Sequence, residues 1–178
     1  MENTFSEFKN KTRVLVLSTQ PSVSKLLIKV LNFHQKEFDF YLKSGDFNNS
    51  DNDFIILETS DLVKATLFEP NIVLITSEFS GEMIIPLLNK ITAGGVLIYH
   101  SSLNEVVDKS ENFFRKLEFT EIDFHQSNST YTLQTNIGAI PITFSDEILI
   151  KNIEGVKLLA QQFGVMEEEF YEPVMSFE

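Results

Sequence analysis

A chain of 178 residues is long enough to bury one substantial core, and 43% apolar content is ordinary for a globular domain. The formal charge of −12, from 26 acids against 14 lysines and arginines, argues against a duplex nucleic-acid partner. It also disfavours a polyanionic ligand unless a local cation or a metal ion compensates. The absence of cysteine excludes disulfides, zinc–thiolate sites and cysteine nucleophiles.

The opening MENTFSEFKNKTR has no apolar core of signal type, and no apolar run reaches the roughly 18–20 residues that span a bilayer. The expectation is a cytoplasmic protein with no membrane association, in which the N-x-S/T matches at Asn48 and Asn128 are chance. Residues 1–12 read as a polar, loose lead-in, and 13–178 as a single domain.

The first element is a strand through Val14, Leu15, Val16 and Leu17, whose unbroken apolar run fits burial on both faces. The loop STQPSVS follows. Pro21 suits a first helical position, and Val23, Leu26, Leu27, Val30 and Leu31 form one helical stripe. This strand–loop–helix is the first half of a βαβ unit, and its loop lies where open α/β sheets bind ligands. Phe38–Leu42 predicts a second strand, KSGDFNNSDND a turn-rich connection, and Asp53–Glu58 a strand ending in an acid.

Ser60 to Phe68 reads as a short helix or an irregular crossover, and Asn71–Thr76 as a further buried strand. Gly81–Ile91 looks helical, with Pro86 forcing a kink or restart. A strand at Val96–Tyr99 precedes an expected helix from Leu103 to Leu117 with Val106, Val107, Phe113, Phe114 and Leu117 inward. FTEIDF alternates as a half-exposed strand would, and YTLQTN and AIPITF flank a turn at Asn136–Gly138, predicting a β-hairpin. Ile148–Phe163 is a helix capped by Gly164, and Glu167–Phe177 a final short helix with acids in its first turn. The order of elements predicts a three-layer αβα domain with a mostly parallel sheet and a small antiparallel hairpin near the C-terminus.

Few residues stand out as chemistry. Glu58, at a strand's carboxyl end, is placed as a metal ligand or general base would be, and equally as a solvated strand-end acid. Thr76, Ser77 and Glu78 end the next strand with less to recommend them. His34, His100 and His125 share no ligand spacing, although His100 and His125 both follow strands and a metal or acid–base pair there is one reading. No G-x-G-x-x-G, Walker lysine or G-x-S-x-G motif is present.

The C-terminal stretch PITFSDEILIKNIEGVKLLAQQFGVMEEEFYEPVMSFE resembles the central, ATP-binding domain of the Mur ligases, in particular those acting on UDP-N-acetylmuramate, including the murein peptide ligase. LIKVLNFHQKEFDFYL, DFIILETSDL, EPNIVLITSEFSGE and GGVLIYH are similar to successive further segments of that domain, so the resemblance covers nearly the whole chain in order. It implies a P-loop-like, Rossmann-like sheet, with the former nucleotide site at Ser18, Thr19, Ser22, Glu58 and Asn152.

The family's functional motifs are degraded. STQPSVS stands in place of the phosphate loop G-T-H-G-K-T/S-T; Thr19 survives, the lysine does not, and Pro21 removes a backbone N–H from the cradle. Each charge-assisted hydrogen bond lost there costs roughly 1.5–3 kcal/mol. Glu58 falls on the family's magnesium-binding glutamate, and Gly81 and Glu82 replace its Asp-His turn. In the G-x-H-N-x-x-N motif, Asp146, Ile148 and Leu149 replace glycine, histidine and asparagine, and only Asn152 remains. The 178 residues carry no counterpart of the family's UDP-binding or C-terminal domains, so acyl-phosphate ligation is not expected.

The reading is therefore a stand-alone, non-catalytic module with no cofactor and no metal (Glu58 if any), bound to a protein partner or to itself. The alternative is a weak nucleotide binder, or an enzyme of altered chemistry, taking ATP with Mg2+ at Ser18, Thr19, Ser22, Glu58 and Asn152.

Overall fold

A computed structural model describes residues 5–127 and 130–178. Its centre is β1 (Thr12–Leu17), which runs parallel to β4 (Phe54–Thr59) on one side and β5 (Ile72–Ile75) on the other. Outward from β4 lie β2 (Asp39–Tyr41) and the two-residue antiparallel β3 (Phe47–Asn48). Outward from β5 lie β6 (Gly95–His100) and β7 (Phe114–Phe119). The order β3-β2-β4-β1-β5-β6-β7 makes a seven-stranded, mostly parallel sheet whose winding reverses at β1. Such a reversal leaves a crevice at the carboxyl ends of the central strands.

Both faces are covered, which is why the central strands are apolar throughout. Val14, Val16, Ile56, Leu74 and Ile98 face α1 (Pro21–Phe33), α5 (Glu147–Gln162) and α6 (Glu167–Val174). Leu15, Leu17, Ile55, Leu57, Val73 and Ile75 face α2 (Leu62–Phe68), α3 (Ile85–Leu88) and α4 (Asn104–Asp108). Pro86 does restart its helix: a 3-10 turn at Gly81–Ile84 gives way to α3 with the proline in its first turn. Asp61 caps α2 by accepting from Val63 and Lys64 N–H, and Gly164 at φ 76° ends the turn after α5.

β8 (Phe124–Ser127), β9 (Thr130–Thr135) and β10 (Gly138–Ile142) form a separate three-stranded antiparallel sheet. The expected hairpin is its β9–β10 half. No helix among the described residues is long and apolar enough to cross a membrane. Asn48 is exposed on β3, and Asn128 lies outside the described residues.

Two segments depart from expectation. The helix anticipated over Leu103–Leu117 stops at Asp108, and Phe114–Phe119 instead pairs with β6 from Gly95↔Phe114 to His100↔Phe119. The open edge of β6 decides the matter: Phe114 and Phe119 turn inward while Arg115, Lys116 and Glu118 stay exposed, a charged edge that deters further strand pairing. FTEIDF is accordingly divided between the end of β7, a loop and the start of β8. The lead-in is also better anchored than its polar composition implies. Phe8 is buried against the α2 side of the sheet, and the Lys11 ammonium reaches Asp39 at 2.9 Å and the Asn52 carbonyl at 2.8 Å.

Candidate functional site

The crevice is closed by hydrogen bonds from the chain itself. β1 ends with Ser18 N–H donating to the Thr59 carbonyl at 3.1 Å, while Thr76 donates to the Leu17 carbonyl from both its N–H (3.2 Å) and its hydroxyl (2.9 Å). These bonds lash the loop to its neighbours. Ser18 is buried; its Oγ accepts from Gln20 N–H at 3.0 Å, which turns the chain into α1.

Into this loop comes the side chain of Glu78, half-buried on the segment after β5. Its Oε1 accepts from Thr19 N–H at 3.3 Å and from the Thr19 hydroxyl at 3.0 Å. The Ser18 hydroxyl, 3.2 Å away, divides its proton between this oxygen and the Gln20 carbonyl, also at 3.2 Å. Oε2 accepts from the Asn152 side-chain amide at 3.0 Å. Asn152 is buried and fixed on its other side, taking Ser77 N–H on Oδ1 at 2.7 Å and giving Nδ2–H to the Ile148 carbonyl at 2.8 Å.

Asn152 reaches this position because α5 lies against the sheet one turn further on. A Cβ on Gly155 would stand 2.7 Å from the Phe119 ring and 2.8 Å from Leu74 Cδ1, so glycine sets the depth of the helix.

Three of the five residues assigned to the former nucleotide site, Ser18, Thr19 and Asn152, thus converge on one carboxylate. Ser22 turns elsewhere: its hydroxyl donates to Asp146 Oδ2 at 2.5 Å, while Oδ1 of the same carboxylate caps α5 by accepting from Ile148 and Leu149 N–H.

Glu58 is apart from both groups. It lies on the α1 side of the sheet, 1% exposed, with Oε2 accepting Lys43 N–H at 3.0 Å and Oε1 buried without a hydrogen-bond partner among the described residues. Burial pushes its carboxyl above the usual glutamate range, against the opposing pull of the Lys43 N–H and charge and of Lys25.

Beside the loop, a cleft of about 390 Å³ runs between Pro21 and Leu149, with Asp146 and Glu178 on its walls and Lys25 as its one cation among the described residues. The histidines take ordinary roles. His100 Nδ1 is 2.9 Å from Ser102 Oγ and its ring meets Phe119 edge-on, whereas His125 is exposed on β8. No group of three or more histidine or carboxylate side chains among the described residues is arranged to hold a metal ion.

The underrated residue is Glu78, which the sequence offers beside Thr76 and Ser77 as a strand-end candidate but leaves out of the assigned site. It follows a strand among Thr76, Ser77 and Phe79, and no periodicity marks a side chain that folds back over the neighbouring strand. Its one sequence signal was being an acid close to the end of a central strand, a description Glu58 fits better.

The fold and this strand-end geometry define a three-layer α/β domain in which the donors at the end of β1 are occupied by a carboxylate of the chain itself. No protein-family model matches the chain, and no characterised protein matches it by sequence. Solved structures do. The murein peptide ligase from Neisseria meningitides superposes with a TM-score of 0.71 at 13% identity, over 99% of this chain and 68% of that one. MurF from Acinetobacter baumannii gives 0.69 at 12% identity over 97% of this chain, and MurF from Thermotoga maritima, solved with ADP, 0.60 at 11% over 92%. The chain has the fold of a Mur ligase domain and spans about half the length of these MurF structures.

The residues present do not fit the magnesium nucleotide that a Mur-type fold implies. Thr19 N–H is occupied by Glu78, Pro21 has no N–H, and Glu58 is sealed beneath α1. A phosphate brought about 4 Å from the Glu78 carboxylate would meet roughly 4 kcal/mol of repulsion at the effective dielectric of a protein surface.

Proposed function

We propose that this protein is a non-catalytic Mur-ligase-like domain that works as a binding or scaffolding module in cell-wall metabolism, through a protein partner or a second copy of itself. The observation that carries the reading is the Glu78 carboxylate seated on Ser18, Thr19 and Asn152, where a nucleotide-binding relative needs open donors. An anion supplied by the chain, with no lysine in the loop, favours a domain whose sheet and helices are kept for their surfaces. The test is calorimetric titration with Mg-ATP, with adenosine as control. No heat up to millimolar ligand is expected, and micromolar binding that disappears in Asn152→Ala would overturn the reading.

A second reading, weak nucleotide binding at the loop, draws on Glu58 Oε1, which is buried without a partner among the described residues and would welcome a cation. It requires α1 to lift from the sheet. In that case the same titration would show binding lost in Glu58→Ala and strengthened in Glu78→Ala.

A further inference from the structure

The sheet is wider than the helical layer that covers it. On the α1 side, β2 and β3 extend past the helix, and both residues of β3 are exposed. The uncovered margin is a groove of about 700 Å³ between α1 and β2, with Ile28, Phe33, Phe40 and Leu42 as its apolar lining. Phe33 is 48% exposed there, and with the partly buried Phe40 it gives the groove an aromatic floor open to solvent.

Lys25 and Lys29, one turn apart on α1, stand along the groove. Lys25 makes no hydrogen bond or ion pair among the described residues, and its charge acts only through space on Glu58. Lys29 is held in place: its ammonium donates to the Ser176 carbonyl and lies 5.9 Å from the centre of the Phe177 ring. Among the described residues the lining holds one acid, Asp46, whose Oδ2 accepts from the Ser44 hydroxyl at 2.8 Å. In a chain of net charge −12, an apolar groove with two lysines along one wall and one acid opposite is a local reversal of sign.

We propose that this groove docks a short acidic segment of a partner protein, with an aromatic or aliphatic anchor in the apolar lining and carboxylates against Lys25 and Lys29. The apolar lining selects a peptide over a nucleic acid, because it gives an apolar anchor side chain a place to bury. The proposal rests on the reading of the domain as a binding module, and supplies the partner's chemistry.

The test is selection of a displayed library of random twelve-residue peptides on the whole protein, followed by fluorescence anisotropy of the enriched peptides. Enriched sequences are expected to carry net negative charge and at least one large apolar residue. Their affinity should fall about tenfold or more in Lys25→Glu and in Phe33→Ser, weaken as salt rises from about 50 to about 500 mM, and stay unchanged in Glu78→Ala. Lys25 and Phe33 are both solvent-facing enough for these variants to fold, which circular dichroism verifies. An absence of enrichment, enrichment of basic peptides, or binding indifferent to Lys25 and Phe33 would overturn the proposal. None of those results touches the titration with Mg-ATP, so the groove and the closed loop fail separately.

Discussion

Glu58 lies in β4 and Glu78 just beyond β5, the two strands that flank β1, and their surroundings are opposite. Glu78 is half-buried and receives N–H or O–H from Thr19, Ser18 and Asn152. Glu58 is sealed in with a single N–H on one oxygen and, among the described residues, no hydrogen bond on the other. The first environment is built for a negative charge; the second resists one. An acid near the end of a central strand is therefore not a functional signature in itself. The donors that the fold brings to it decide whether it holds a loop shut or merely survives burial.

A third carboxylate arrangement brackets the comparison and should give the largest effect. Lys157, buried between α5 and α6, binds Glu154 and Glu167 at 2.8 Å each. Burial alone would lower its pKa, yet the bonds to the two acids hold it above the usual lysine range. Tyr171, which donates to Glu154 at 3.1 Å, is pushed up to about 12 by burial and by that neighbouring charge. Lys157→Met leaves both acids unpaired and should cost about 3 kcal/mol, the low end for a broken buried pair because Glu167 is partly solvated. Urea denaturation measures it, and a loss below about 0.5 kcal/mol would mean the cluster is solvated like a surface pair.

Gly155→Ala tests how Asn152 is brought to Glu78. The added methyl meets Phe119 and Leu74, an overpacking cost of about 1–3 kcal/mol, from which the better helix propensity of alanine returns up to about 1. A net loss of about 1–2 kcal/mol is expected. A shift of the Ser77 amide resonance should accompany it as Asn152 moves with α5.

Glu58→Gln should act in the opposite direction. A raised carboxyl pKa means that the folded state holds its proton longer than the unfolded chain does. The stability Glu58 contributes is thus fully present below the ordinary value of 4.5 and lost as pH rises through the folded pKa. The neutral amide keeps an acceptor for Lys43 N–H and escapes that loss. The variant should be more stable than wild type at pH 7 and match it near pH 4, as melting temperatures across that range would record. A gap that stays constant with pH would show that Glu58 keeps its ordinary acidity.

Much of the fold was legible in the residues. The apolar runs at Val14–Leu17, Phe54–Leu57 and Ile72–Ile75 can serve only as doubly covered strands, and the stripe from Val23 to Leu31 only as a helix lying on them. Legibility failed where one side of an element faces water. Phe114–Phe119 carries two inward phenylalanines among charges, a pattern compatible with either a helix or an edge strand, and only the unpaired edge of β6 distinguishes them. The site was half legible. Ser18, Thr19 and Asn152 were placed by order along the chain, but the group that unites them is a side chain whose direction no local pattern encodes.

The most direct test of the closed loop is a double-mutant cycle between Glu78→Ala and Asn152→Ala, with unfolding free energies from urea titration. If the Glu78 carboxylate is held by the Asn152 amide, the two losses should fall short of additivity by about 1–2 kcal/mol. Strict additivity would mean that the carboxylate does not occupy the cradle, and that the loop stands open.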